Sequence, residues 1–212
     1  MSRVVAIFDV DQTLVQGYTE RLFFRYLVRQ GLLTVPRALA YLGQVARRPQ
    51  RRFQDKSYLE GLPVEEVVRL ARRCYQEDIA PRVGAAARAC VLEHQSQGHA
   101  IVLLSGSLSV LLAPLQEELK ADWLIATELQ RQNNRFTGVI AGLHPRGPNK
   151  LWLLQELSRA HGFDLSQAYA YGDHIQDSYL FRSIGHPVAV NPSWCLKLKA
   201  RKHRWPIRYF KL

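Results

Sequence analysis

The chain has 212 residues, 47% of them hydrophobic, and a formal net charge of +11. That length suits one sizeable α/β domain carrying a modest insertion, and no apolar run approaches the ~20 residues that a membrane span needs. The three cysteines, Cys74, Cys90 and Cys195, form no CxxC pair, which argues against disulfide staples or a zinc site and makes a reducing cytoplasm the expected location.

Arg3 to Asp9 (RVVAIFD) is an apolar run rich in β-branched residues that ends in acids. This is the pattern of a strand buried on both faces of a parallel sheet. Two aspartates interrupt it where a targeting leader would stay apolar. Helical patterns follow over Glu20–Gln30, Arg37–Arg48 and Val64–Asp78, the first two stopped by Gly31 and Pro49. They fill an interval of about 90 residues between the first and second strands, where a simple crossover needs about a dozen residues including its helix. Residues 15–79 are therefore expected to form an inserted helical cap, with 1–14 and 80–212 as a Rossmann-like core. Beyond the insertion, a helix over Arg82–Gln97 stops at Gly98 and the strand Ala100–Leu104 (AIVLL) follows. Trp123–Thr127 (WLIAT) runs into TELQRQNNRFTGVI, a hairpin centred on Asn133-Asn134. A helix over Leu151–His161, ended by Gly162, precedes the strands Ala168–Tyr171 and Val188–Val190. Strands alternating with helices predict a doubly wound parallel sheet, which gathers its ligands at the carboxyl ends of the strands.

Three polar features fall at such ends: Asp9-Val10-Asp11-Gln12-Thr13, Ser105-Gly106-Ser107 and Gly172-Asp173-His174-Ile175-Gln176-Asp177. Lys150 lies between the last two, at a predicted helix start. Each motif is common by itself; their shared placement is what carries the inference. A phosphate monoester is a dianion, and an attacking carboxylate is repelled by about 4 kcal/mol per charge pair at 4 Å and an effective dielectric of ~20. The attack needs cations nearby, and Mg²⁺ binds one or two carboxylates together with phosphate oxygens. Asp9 and Asp173 can supply the protein oxygens, Lys150 a further positive charge, and amides at a Ser105-Gly106 turn entering a helix the donors for phosphate. Asp11, two residues past Asp9, projects to the same side of an extended segment, where it can protonate the leaving alkoxide and then activate water.

The order FDVDQTL, Ser105 of LLSGS, Lys150 and GDHIQD resembles the four motifs of the haloacid dehalogenase-like hydrolase superfamily. The insertion after the first motif resembles its small-cap group, which includes the phosphoserine phosphatases. YAYGD, GHPVAVNP and the late WPI are similar to the bacterial hydrolases of subfamily IB. The resemblance implies that Asp9 is nucleophile and metal ligand, and Asp11 acid/base with its carbonyl on the metal. Asp173 would bind the metal, Asp177 would support it, and Ser105, Gly106 and Lys150 would hold phosphate. Gln12 stands where glycine is frequent, His174 where serine is, and Pro148 where an acid often precedes the lysine. Tyr18 occupies the position of the glutamate that reads the amino group in phosphoserine phosphatases, which argues against phosphoserine as the substrate.

Plainer roles are expected for other residues: Thr13 as a turn tie, Ser107 and Ser109 as capping candidates, His174 as a substrate or supporting contact. The excess charge is local, +6 over residues 16–60 and +7 over 193–212. Patches of this kind attract anions. The expected partner is a small phosphorylated metabolite. A basic protein holding nucleic acid or anionic membrane through the Arg47-Arg48/Arg51-Arg52 cluster and the tail, with a vestigial site, is the reading of a different class. Trp205, Tyr209 and Phe210 among the tail cations suit such a stacking surface, but packing of the tail onto the core is the favoured reading. A phosphotransferase passing phosphate to an alcohol would use the same residues.

Overall fold

A computed structural model describes residues 3–51 and 55–210 of the chain. Seven strands form one sheet: β1 (Val5–Phe8), β2 (Ala100–Leu108), β3 (Trp123–Gln132), β4 (Arg135–Ala141), β5 (Tyr169–Gly172), β6 (His186–Val190) and β7 (Ile207–Arg208). Their order is β4-β3-β2-β1-β5-β6-β7. All neighbours are parallel except β3 and β4, so the expected doubly wound sheet forms with one antiparallel edge. β1 lies at the centre and all four of its residues are buried. Ala6 and Phe8 enter the apolar cluster on one face, Val5 and Ile7 that on the other. Each such Val, Ile or Phe side chain contributes roughly 1.5–3 kcal/mol by leaving water. The expected hairpin is also present: Asn133 and Asn134 have φ of 49° and 56° and join Gln132 to Arg135, as a type I′ turn requires.

Between β1 and β2 lie α1 (Thr19–Arg29), α2 (Val35–Arg47), α3 (Val64–Cys74) and α4 (Ala85–Ser96). The third helix ends short of Asp78; the chain continues as a single π turn, Tyr75–Ile79, that buries both of its end residues. Phe23, Tyr26, Leu27, Leu59, Val67 and Leu70 of this segment share one apolar cluster with Phe8, Leu103 and Leu111. The segment is thus welded to one face of the sheet. It also lies along the β3–β4 hairpin, where Gly61 N donates to Phe136 O (2.7 Å) and Phe136 N to Leu62 O (3.0 Å). Gly138 sits at this contact: a Cβ there would fall 3.0 Å from Ser57 Cα. Lys56, 1% exposed, donates to both carboxylate oxygens of Glu20 at 2.6 Å.

The remaining helices are α5 (Ser109–Leu119), α6 (Pro148–His161), α7 (Ser178–Phe181) and α8 (Trp194–His203). β7 has only two residues, too few for any periodicity to announce it. The basic tail packs as expected: Trp205 meets Phe181 edge-on at 5.2 Å and Phe210 is buried, while Tyr209 is exposed. Phe210 N donates to Asn191 Oδ1 (3.0 Å). Arg52 and Lys211 lie outside the described residues. Among the described residues, no helix is long and apolar enough to cross a membrane. Cys74 and Cys90 are buried, Cys195 is exposed, and all three are free.

A histidine pair under β5 makes the fold sensitive to acid. His94 Nε2 lies 2.7 Å from Tyr171 Oη and its Nδ1 2.8 Å from His99 Nδ1. Burial, reinforced by His99, pushes the His94 pKa down to about 4. The unfolded chain therefore binds more protons than the folded one between the ordinary histidine pKa and pH 4. The stabilisation is full above about pH 6.5 and is lost as pH falls toward 4. Thermal unfolding at pH 7.5 and 5 is expected to show a smaller acid-induced fall in Tm for His94→Gln than for the parent chain.

Candidate active site

The carboxyl ends of β2, β1 and β5 lie side by side, and the polar motifs stand there. Asp9 N donates to Tyr171 O (2.9 Å), so Asp9 keeps the ladder register one step past β1. The chain then turns sharply, with the amides of Thr13, Leu14 and Val15 all donating to Val10 O. Gln12 adopts φ of 63°, a conformation that costs a non-glycine residue about 1–2 kcal/mol and explains why glycine suits this position. Here Gln12 Oε1 accepts from Gly17 N (3.3 Å) and Gln12 O from Asn191 Nδ2 (3.1 Å), which holds the turn.

Asp9, Asp173 and Asp177 each offer a carboxylate oxygen within 4.8 Å of the others. Lys150, in the first turn of α6, donates to Asp9 Oδ1 at 2.6 Å and Asp177 Oδ1 at 2.7 Å. Asp177 Oδ2 accepts from His174 N (3.0 Å). Gly172 permits this packing, because a Cβ there would lie 2.7 Å from Asp177 Oδ2. Among the described residues no side chain donates to the Asp173 carboxylate.

One ammonium cannot neutralise three carboxylates. Burial raises the pKa of Asp173 to about 8, with Asp9 and Asp177 adding repulsion. Burial likewise raises Asp9 to about 7, the Lys150 charge opposing it and Asp177 and Asp11 reinforcing it. Against the burial that would discharge it, Asp177 and Asp9 hold Lys150 as ammonium. An all-oxygen cluster with unmet negative charge fits a hard divalent cation. Asp9 and Asp173 would hold it, with Asp177 beside them.

Asp11 stands apart from this cluster. Its Oδ1 accepts from Thr19 N (2.9 Å) and its Oδ2 from Ser107 Oγ (2.7 Å), while Thr19 Oγ1 donates to Ser107 Oγ (2.8 Å). Burial raises its pKa, with the Thr19 and Ser107 hydrogen bonds opposing. Ser107 is therefore no helix cap but holds Asp11; α5 has no side-chain cap at all. Thr13 Oγ1 is 3.4 Å from Asp9 Oδ2, a longer contact to the carboxylate itself. His174 caps the next turn, its Nδ1 accepting from Gln176 N (3.3 Å).

The Ser105-Gly106 segment differs from expectation. It does not enter a helix directly: β2 runs on to Leu108 and α5 begins at Ser109. The pairs Leu104↔Ile125 and Leu108↔Thr127 set three β2 residues against one of β3. Such a bulge takes amides out of ladder pairing, so Ser105 and Gly106 can offer donors without a helix end. Ser105 Oγ accepts from Ser107 N (3.1 Å), and Gly106 O accepts from Thr127 Oγ1 (2.6 Å). Thr127 in turn meets His144 Nδ1 at 2.8 Å. Thr19, Ser107, Thr127 and His144 were not assigned to the site from sequence. Only Ser107 left a signal, its spacing of two from Ser105 in an extended segment.

Residues 6–182 match the sequence profile of the haloacid dehalogenase-like hydrolases. The chain belongs to that family. It is 28% identical to "Phosphoserine phosphatase SerB1" of Mycobacterium tuberculosis over 98% of this chain and 71% of that protein. It is 27% identical to "Histidinol-phosphatase" of Neisseria meningitidis over 98% of this chain and 99% of that one. A crystal structure of a protein of unknown function from Bordetella pertussis superposes with a TM-score of 0.88 at 23% identity, covering 98% of this chain and 99% of its own; it shares the fold. With such relatives, this haloacid dehalogenase-like hydrolase is a phosphoric monoester hydrolase.

The raised pKa of Asp173 has a measurable consequence. Its folded form binds more protons than the unfolded chain above the ordinary aspartate pKa, so its contribution falls as pH rises toward 8. In metal-free buffer at pH 8, Asp173→Asn is expected to raise Tm. Addition of MgCl₂ should stabilise the parent chain, and the variant much less.

Proposed function

We propose that this hydrolase cleaves small phosphomonoesters through an aspartyl-phosphate on Asp9. The observation that carries the reading is the convergence of Asp9, Asp173, Asp177 and Lys150 from separate strand ends into one cluster. A carboxylate of Asp9 attacks phosphorus, and the bond from phosphorus to the alcohol oxygen breaks. Asp11, whose burial favours its protonated form, gives its proton to the departing oxygen. Asp11 then takes a proton from water, which attacks phosphorus and releases inorganic phosphate, restoring Asp9. Thr19 and Ser107 hold Asp11 aimed for both transfers.

Mg²⁺ is the proposed cofactor, held by the carboxylates of Asp9 and Asp173 and the carbonyl of Asp11, with Asp177 supporting. Bound there, it would offset the repulsion between carboxylate and phosphate. Lys150 and the bulge at Ser105 and Gly106 are the proposed phosphate holders.

Residues 15–79 are proposed to act as the cap, with 1–14 and 80–212 as the core. Three contacts support this: Thr19 on Asp11, Thr19 on Ser107, and Lys56 holding Glu20. For the substrate, the names of two relatives carry a common chemistry. Phosphoserine and histidinol phosphate are both phosphate esters with an ammonium on the carbon next to the ester carbon. We take an amino-alcohol phosphate as the substrate class. Tyr18 does not read the ammonium here, being 45% exposed with Arg21 stacked over its ring.

Hydrolysis of p-nitrophenyl phosphate with MgCl₂ tests the reaction. Asp9→Asn should fall to the uncatalysed background, since an amide cannot form the intermediate. Asp11→Asn should lose about 10²–10⁴-fold in kcat, the usual contribution of a general acid–base. Undiminished turnover by Asp9→Asn would sink the mechanism. Replacing Mg²⁺ by Ca²⁺ should inhibit, because the larger ion takes more ligands at longer distances.

A further inference from the structure

The turn that separates Asp9 from Asp11 is held from outside the segment that matches the family profile. The profile spans residues 6–182, whereas Asn191, one residue past β6, sends its side chain to the turn. Asn191 Nδ2 donates to Gln12 O at 3.1 Å and to Phe210 O at 3.4 Å, and Asn191 Oδ1 accepts from Phe210 N at 3.0 Å. These partners fix the orientation of the amide, because a carbonyl can only accept and a backbone N–H can only donate. The side chain thus pairs with both main-chain groups of Phe210, and its other N–H reaches Gln12. Asn191 N also donates to Arg208 O (3.0 Å).

Phe210 is anchored in turn. Its ring is buried and lies 6.5 Å from that of Tyr171, which stacks on Phe8 at 4.5 Å. Phe8 immediately precedes Asp9, and Tyr171 O accepts from Asp9 N. Gln16 Nε2 also donates to Phe210 O, at 3.4 Å. Phe210 therefore braces the strand before the nucleophile with its ring, and the turn after it through Asn191. The ladder adds little here, since β7 pairs with β6 only at Ala189↔Ile207 and Val190↔Arg208.

The turn needs such support. Gln12 holds φ of 63°, which is strained for a residue with a side chain. Its N–H is spent inside the turn, on Val15 O at 2.8 Å, so the bond from Asn191 is what ties its carbonyl to the rest of the protein. Without that donor the Gln12–Thr13 peptide can rotate, and relaxation of Gln12 toward negative φ would carry Asp11 with it. Thr19 and Ser107 hold the Asp11 carboxylate, not its main chain.

We infer that Asn191 is a positioning residue: acting through Gln12 and backed by Phe210, it sets Asp11 for proton transfer to the departing oxygen. The inference rests on the reading of Asp11 as the general acid. The alkoxide of phosphoethanolamine needs that proton to leave, whereas p-nitrophenolate, a far weaker base, depends on it much less. Comparing kcat/KM for the two esters isolates the acid role, because this ratio covers the steps up to alcohol release, before Asp11 acts on water. Asn191→Asp removes the N–H donors and keeps an acceptor for Phe210 N. Asn191→Gly removes the whole side chain and accepts the φ of 42° at this position. Phe210→Ala removes the ring that braces the tail. Each variant should keep the parent circular dichroism and lose about 10²-fold in kcat/KM for phosphoethanolamine, as a group misplaced by about 1 Å does. The loss for p-nitrophenyl phosphate should be much smaller, and Asp11→Asn should show the same split. Equal losses on both esters, with the split present in Asp11→Asn, would overturn the inference and leave Asn191 only a part of the scaffold. Amide hydrogen exchange over residues 12–15, all bonded within the turn, gives an answer independent of turnover. Exchange faster by about tenfold or more in Asn191→Asp, with β1 unchanged, supports the inference; unchanged exchange at the turn overturns it. Absence of a split in Asp11→Asn, or of phosphoethanolamine hydrolysis by the parent, would count against the acid or substrate reading, while hydrogen exchange would still decide the role of Asn191.

Discussion

Repulsion among buried carboxylates governs this molecule. Asp9, Asp173 and Asp177 each place an oxygen within 4.8 Å of the others, and among the described residues Lys150 is the one ammonium in the cluster, bonded to Asp9 and Asp177. Leaving such charges half-compensated in a low-dielectric site is costly, and the raised pKa values of Asp9 and Asp173 register that cost. Proteins retain an arrangement of this kind when a ligand supplies the missing positive charge. Perturbed buried carboxylates are therefore a mark of function rather than of stability.

The fold tolerates the repulsion because the scaffold beneath it is over-determined. β1 is central and fully buried, so Asp9 has little freedom to move away from its neighbours. Asp173 and Asp177 are fixed by the short turn after β5, where Gly172 lets the Asp177 carboxylate pack against the backbone. Lys150 is placed by the first turn of α6, whose opening proline suits a position with no backbone donor to lose. The bulge in β2 completes the site by pulling Ser105, Gly106 and Ser107 out of ladder pairing with β3.

Much of this was legible in the sequence. Arg3–Asp9, Ala100–Leu104 and Val188–Val190 declare themselves as strands because they are short, apolar and β-branched, and the Asn133-Asn134 turn carries its own chemistry. The polar residues after Arg3–Phe8, Ala100–Leu104 and Ala168–Tyr171 could be assigned to one site because a parallel sheet aligns its carboxyl edges. What escaped has physical reasons too. Ser105-Gly106-Ser107 has no apolar pattern, so nothing in it distinguishes an extension of β2 from a turn into a helix. The hydrogen bond between Thr19 and Ser107 joins residues 88 positions apart, and nothing local links them. His144 sits in an irregular loop, where periodicity says nothing. The capping role of His174 depends on a ring orientation that only three dimensions reveal.

The two carboxylates proposed as nucleophile and acid differ in their partners. Asp9 lies beside Lys150, whose charge opposes the protonation that burial favours, as a cation bound at the cluster would do further. Asp11 lies two residues on, held by a backbone amide and a hydroxyl that do not neutralise its charge. Burial moves Asp11 toward the protonated form as it does Asp9, and at Asp11 the Thr19 and Ser107 hydrogen bonds oppose it more than the Lys150 charge does. The turn at Gln12 separates the two, and the segment that begins at Thr19 supplies one of the donors to Asp11. Because that segment shares an apolar cluster with Phe8 and Leu103, withdrawing it would expose buried surface and release the carboxylate from Thr19. Packing of the insertion and the protonation state of Asp11 are thus coupled through one hydrogen bond.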